Sequence, residues 1–215
     1  MKAVALCTEG DYLYPIYDKK VIDYLIDTLE NIGIHELIII FSQFTHRIDK
    51  MMQYIIENSD LNVVYKYTKS PRCIVDNIEL VKNFVGENDF LVIDANNIFL
   101  DNLKLRKPPC LYLSSSNNAE RFNVIEFYGE NIKNIERKPE EPKSKMVDTS
   151  LAIYPNGIFK IIQRLKQKKK IDITDIHNYY GSNLDYDIVD NWFYLKNPES
   201  FYEAIHKTRL ERHKI

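Results

Sequence analysis

The chain has 215 residues, 29 basic and 31 acidic side chains for a formal charge of −2, and is 45% apolar and 28% charged. That composition supports a buried core and excludes a disordered or collagen-like chain, and the near-neutral charge argues against a dedicated nucleic-acid binder, which carries a basic excess. Its six glycines, no two within a few residues of each other, exclude a P-loop and the Gly-rich dinucleotide turn, which need close-spaced glycines to bring backbone N–H groups against phosphate.

At about 150 residues per domain, a single domain is expected over 1–215. Cys7, Cys73 and Cys110 are few, odd in number and widely spaced, which fits a reducing cytosol better than a disulfide framework. The opening apolar run meets charge too soon for a signal peptide, and no stretch is long enough to span a membrane.

The first half alternates strand and helix. Residues 3–7 form an apolar, β-branched run that reads as a buried strand. Over 21–32, Val21, Ile22, Leu25, Ile26, Leu29 and Ile32 share one helical face, with Gly33 placed to cap it. A buried strand is predicted over 36–41 and a helix from Thr45 to 58, with Thr45 as its cap. A strand over 62–67, a helix over 74–85 and a strand over 90–94 complete an alternation that means a largely parallel sheet with helices on both faces.

The second half reads differently. Strands over 110–114, 124–128, 132–138 and 149–154 are separated by short turns, which suits antiparallel additions to the sheet. The polar, Pro-containing stretch 138–145 is a loop within the domain. An amphipathic helix covers 156–169 and ends in a basic run that complements its dipole. His177 lies on a helix facing other polar groups, and a last helix covers 198–213. In such sheets ligands bind outside the carboxyl ends of the parallel strands, so the segments after Cys7, Tyr67 and Ile93 are the ones to inspect.

Those segments carry a family pattern. LYPIYDKKVIDYLIDTLENIGIHELIII (13–40), FLVIDANNIFLDN (90–102), NVIEFYGENIKNIERKPEEPKS (123–144), DTSLAIYPNGIFKII (148–162), DITDIHNYY (172–180) and NWFYLKNPESFYEAI (191–205) follow one another as in sugar-1-phosphate nucleotidyltransferases. The chain resembles the glucose-1-phosphate thymidylyltransferase type over nearly its whole length. The resemblance implies an α/β, Rossmann-like nucleotidyltransferase fold, with a mixed, mostly parallel sheet and helices on both faces. It also implies a site for a nucleoside triphosphate and a sugar 1-phosphate.

The family's reaction is an in-line attack on the α-phosphorus, so catalysis there is positioning plus neutralisation of charge. The resemblance implies a Gly-rich loop with an arginine, a following lysine, and two aspartates on Mg²⁺. Here Leu6-Cys7-Thr8-Glu9-Gly10-Asp11-Tyr12 runs straight into Leu13-Tyr14-Pro15, so most of the loop and its arginine are missing. The lysine's place is taken by Asp11. The metal aspartates fall at Asn96 and Tyr194, and neither an amide nor a phenol replaces a carboxylate on Mg²⁺. Thr68 and Cys73 stand where a base-contacting glutamine and glycine are implied. Arg137 replaces the acidic member of a Glu-Lys-Pro motif of which Lys138 and Pro139 remain. Ala95, Cys73, Asn123, Ser150 and Lys196 occupy glycine positions, where a β-carbon would fill space the ligand needs.

These losses lead to the expectation of a non-catalytic relative with no catalytic residues and no cofactor. Lys138, Thr149 and Thr8 would be its vestigial substrate-binding groups. It would act as a binding or regulatory partner in nucleotide-sugar and surface polysaccharide metabolism, as a homo-oligomer or with an active nucleotidyltransferase. The rival expectation is a divergent working enzyme with Mg²⁺ on Asp94 and Asp148 and Lys138 on the sugar phosphate. Asp94 lies two residues before Asn96, so on one strand their side chains would share a side, although a strand-end aspartate also caps turns. A third possibility is a sugar-phosphate sensor that keeps Lys138 and Thr149.

Overall fold

The computed structural model describes residues 1–7, 10–41, 46–68, 74–167, 170–196 and 198–212. The expectations for Thr8, Thr45, Cys73 and the basic run at 168–169 lie outside the described residues.

In chain order the elements are β1 (Lys2–Cys7), β2 (Pro15–Ile16), β3 (Lys19–Lys20), α1 (Val21–Asn31), β4 (Glu36–Phe41), α2 (His46–Asn58), β5 (Asn62–Tyr67), α3 (Ile74–Leu80), α4 (Lys82–Val85), β6 (Phe90–Asp94), β7 (Asn97–Phe99) and β8 (Cys110–Ser115). They continue with β9 (Asn123–Tyr128), β10 (Asn131–Arg137), β11 (Met146–Tyr154), α5 (Ile158–Lys166), α6 (Ile173–Tyr180), β12 (Asp185–Ile188), β13 (Trp192–Tyr194) and α7 (Pro198–Arg212).

Nine strands form one mixed sheet whose main path runs β10-β9-β11-β6-β1-β4-β5, with β8 joined to β11 and β12 joined to β8. The expected parallel block is β6-β1-β4-β5. The expected antiparallel additions are β11 on β6, β8 and β9 on β11, and β10 on β9. Strand β1 lies at the centre and shows the period of two directly. Ala3, Ala5 and Cys7 join a core with α1 and α2, while Val4 and Leu6 join the core on the opposite face with α3, α5 and α6. Both faces being covered, β1 reads as an uninterrupted apolar run.

Local chemistry sets the boundaries. Helix α1 ends as expected at Gly33, which has φ 73°; its N–H donates to Glu30 O, and Ile34 N–H reaches back to Leu29 O, a Schellman closure. The helix predicted over 74–85 is two helices, because the Val81 N–H bonds to Ile78 O, a tightened three-residue step, at the junction. The helix predicted from 156 starts at Ile158, since 155–157 form an entry turn with Ile158 N–H on Pro155 O. The strand predicted from 149 begins at Met146, and the one predicted to 138 stops at Arg137, where Lys138 turns to φ 41°. The outer edge at β10 is covered: Asn178 of α6 accepts from Ile135 N–H at 2.8 Å and donates to Ile135 O at 2.9 Å, as a neighbouring strand would. Among the described residues no helix is long and apolar enough to cross a membrane.

Candidate functional site

The site lies at the carboxyl ends of β1 and β6. After Asp94 the chain leaves the sheet, with Ala95 N–H bonded to Leu6 O of β1. Asn96 therefore does not share a strand with Asp94, contrary to expectation; 95–96 are a turn capped by the Asp94 carboxylate. Its Oδ1 accepts from Asn96 N–H at 2.9 Å and from Asn96 Nδ2 at 3.1 Å.

A two-strand hairpin closes the other side. Strand β13 pairs antiparallel with β7, placing Tyr194 opposite Asn97, and Leu195 N–H donates to Asn96 O at 2.9 Å. The Trp192 indole fixes the pairing by donating to Asn97 Oδ1 at 2.6 Å. Tyr194 Oη then donates to Asp94 Oδ2 at 3.2 Å. Asn96 and Tyr194, 98 positions apart in sequence, thus meet on the two oxygens of one carboxylate.

Asp94 is 9% exposed, and burial pushes its pKa up against the lowering effect of its Asn96 and Tyr194 bonds. Tyr12, whose Oη lies 3.5 Å from Asn96 Nδ2, and Cys7 sit beneath, and burial raises the pKa of each. Cys7 is a free, buried thiol.

Above this floor lies a cleft of about 380 Å³ lined by Gly10, Asp11, Val21, Asn96, Tyr194, Leu195, Lys196 and Phe201. Gly10 is required where it stands: φ is 139°, and a β-carbon there would meet Asn96 Oδ1 at 2.8 Å. Asp11, where the resemblance implies a lysine, is ion-paired to Arg47 at 2.7 Å. Its negative charge is therefore matched by a cation that the sequence reading did not single out. The expectation of a filled-in cleft needs correction as well. Among the described residues that the resemblance puts at glycine positions, Lys196 alone lines the cleft, and the Ala95 methyl is wholly buried in the core beside β1.

The family's Mg²⁺ can be tested against these donors. The cleft offers the Asp94 carboxylate at its floor, already accepting three hydrogen bonds and disfavoured as an anion by burial, an amide and a phenol beside it, and the Asp11 carboxylate on its wall, ion-paired to Arg47. Mg²⁺ takes hard anionic oxygens in octahedral array, so this set does not fit it. Among the described residues no group of three His, Cys, Asp or Glu side chains converges as a metal site elsewhere.

The other candidates make separate sets of bonds, although the antiparallel register of β11 on β6 brings 148–150 alongside the end of β6. Asp148 accepts from Ser150 N–H at 2.8 Å and from Asn123 Nδ2 at 3.4 Å, and lies 3.9 Å from His177 Nδ1; it shares no bonding partner with Asp94. His177 is buried, bonded to Tyr154 Oη at 2.7 Å, and held below the usual imidazole pKa by burial. Thr149 is 1% exposed and donates its hydroxyl to Tyr112 O at 2.7 Å. Lys138 is exposed at the end of β10, its N–H on Phe122 O, and neighbouring Arg137 pairs with Asp172 at 2.9 Å. Ser150, at a glycine position, keeps a left-handed backbone with φ 63°.

A mixed, mostly parallel sheet with its cleft at the β1 and β6 carboxyl ends is the α/β architecture that nucleotidyltransferases share with other nucleotide-binding folds. The comparisons agree. A model of the nucleotidyl transferase family matches residues 11–211, and the chain belongs to that family. It is similar to the glucose-1-phosphate thymidylyltransferase of Neisseria meningitidis, 26% identical over 210 residues that cover 89% of this chain and 73% of that protein. It is also similar to the low-salt glycan biosynthesis nucleotidyltransferase of Haloferax volcanii, at 22% identity over 89% of this chain and 58% of the relative. In fold it matches a Bacillus anthracis protein described as a glucose-1-phosphate thymidylyltransferase and crystallised with sucrose, with TM-score 0.86 and 23% identity, covering 97% and 95% of the two chains. An apo UDP-glucose pyrophosphorylase matches with TM-score 0.72 and 17% identity over 99% of each chain.

Proposed function

We propose that this chain is a sugar-1-phosphate nucleotidyltransferase relative that has given up Mg²⁺-assisted transfer. It acts by binding, as a regulatory or structural partner in nucleotide-sugar metabolism. The observation that carries this reading is the Asp94 carboxylate. Asn96 and Tyr194 stand where the resemblance puts two metal aspartates, and both spend their donors on the carboxylate that remains. Transfer from a triphosphate needs its charge neutralised in the transition state. With the loop arginine that the resemblance implies missing and the lysine's place taken by Asp11, the described cleft offers Lys196 and the Asp11-bound Arg47 against that charge.

The test is pyrophosphate release by the full chain with each NTP, glucose 1-phosphate and Mg²⁺, alongside calorimetry with dTTP and UTP. Background release and no Mg²⁺-dependent binding are expected. Product formation that disappears in Asp94→Ala, or Mg²⁺-dependent micromolar nucleotide binding, overturns the reading in favour of a working enzyme.

A further inference from the structure

We propose that the Lys196 ammonium stands in for a divalent ion in this cleft, a tethered cation that makes the site a metal-independent receptor for a small phosphate monoester. The inference rests on the reading of the chain as a binding protein that has given up Mg²⁺-assisted transfer.

Backbone bonds put the lysine there. Leu195, 4% exposed, anchors the exit of β13 by donating its N–H to Asn96 O at 2.9 Å. Lys196 N–H donates to Ser200 Oγ at 3.1 Å, in the first turn of α7. Residue 196 is thereby held between the turn that follows Asp94 and helix α7, two positions past Tyr194. Asn96, Tyr194 and Lys196 line the same cleft. The lysine's charge reaches the floor, where it favours the anionic form of Asp94 against burial. Where the resemblance implies two carboxylates and a glycine, this chain has an amide, a phenol and an ammonium. Two neutral groups stand in place of the ligands of a soluble cation, and beside them is a cation held by the chain itself.

The charges and the walls set what this cation can take. Among the described lining residues Lys196 is the one cation, while Arg47 is spent on Asp11 at 2.7 Å. A lysine binds phosphate as a point charge, with three donors on a flexible four-carbon stem. One ammonium matches one phosphate group. A triphosphate would set further phosphates against Asp11, and like charges at close range repel. The cleft of about 380 Å³ is of small-ligand size, and Val21, Leu195 and Phe201 give it an apolar wall for an organic group attached to the phosphate.

Calorimetry of the full chain in metal-free buffer with inorganic phosphate, glucose 1-phosphate and dTTP tests this, each repeated with Mg²⁺. Glucose 1-phosphate is expected to bind, more tightly than inorganic phosphate because it also covers the apolar wall, and with an affinity that Mg²⁺ leaves unchanged. Lys196→Gly and Lys196→Gln, shown to be folded by circular dichroism, should each lose about tenfold or more in affinity. Lys196→Arg, which keeps the charge, should lose less than either. Equal affinity for phosphate and glucose 1-phosphate supports Lys196 as the anchor, with the free ion as its source. Binding of neither, binding that requires Mg²⁺, binding indifferent to Lys196→Gly, or dTTP bound more tightly than glucose 1-phosphate in metal-free buffer overturns the inference. Pyrophosphate release with Mg²⁺ overturns the underlying reading instead, whichever way Lys196 behaves.

Discussion

Asn96→Asp sets a second carboxylate beside Asp94, where the resemblance puts a metal aspartate, and probes the floor of the cleft directly. The parent amide donates to Asp94 Oδ1 at 3.1 Å, and Asn96 is only 7% exposed. The substitution removes a hydrogen bond to a charged group, worth about 1.5–3 kcal/mol. It also sets two carboxylates at hydrogen-bond distance, where full repulsion would reach about 4 kcal/mol at an effective dielectric of 20. The pair escapes most of that repulsion by holding one proton, at about 1.4 kcal/mol per pH unit above the pair's raised pKa. The folded state then binds a proton more tightly than the unfolded one, so stability is lost as pH rises. A loss of about 3 kcal/mol at pH 8 is expected, shrinking toward the hydrogen-bond loss alone at pH 5. For a chain of this size that lowers Tm by about 6–12 °C. Urea and thermal unfolding at the two pH values, each with and without Mg²⁺, measure it, and Mg²⁺ should recover part of the loss in the variant alone. A variant as stable as the parent at both pH values would refute the account of Asp94 as a buried, fully bonded carboxylate.

Two further outcomes test the frame around the site. His177 has a depressed pKa in the folded chain, so the unfolded chain takes up the proton first. Its contribution is complete above the unfolded value near 6.5 and falls by up to about 1.4 kcal/mol per pH unit as pH drops toward the folded value. Urea midpoints from pH 8 to 5 should show this slope, and His177→Gln should remove it; an unchanged slope in the variant locates the effect elsewhere. Asn178→Ala, which uncaps both backbone groups of Ile135, should cost about 1–2 kcal/mol in urea unfolding. Asn178→Asp should cost at least as much, because a carboxylate cannot donate to the Ile135 carbonyl; an alanine variant of parental stability would show that the edge needs no cover.

Much of the frame was legible because its signals are local. The apolar runs of β1, β4 and β6, the helical stripe of α1 and the glycine closing it each lie within a dozen residues. The short strands β7 and β13 were not legible, since three residues carry too little periodicity to declare a strand and their pairing joins positions more than ninety apart. Arg47 was missed for a similar reason, as nothing in its own neighbourhood points to Asp11. The Ala95 methyl was misplaced because a family glycine position tells that a β-carbon is new there, not which way it points.

From its own letters the chain determined the alternation of strand and helix, the family pattern, and the presence of an amide at 96 and a phenol at 194, since residue identity fixes which donors exist. Tertiary structure decided what those two groups bond. Only the closing of β13 on β7 brings Tyr194 to Asp94, and only the bonds of Leu195 to Asn96 and of Lys196 to Ser200 set the lysine at the cleft. Hydrogen bonding and burial are properties of neighbours in space, and pairings across long stretches of chain exist only once the sheet has formed.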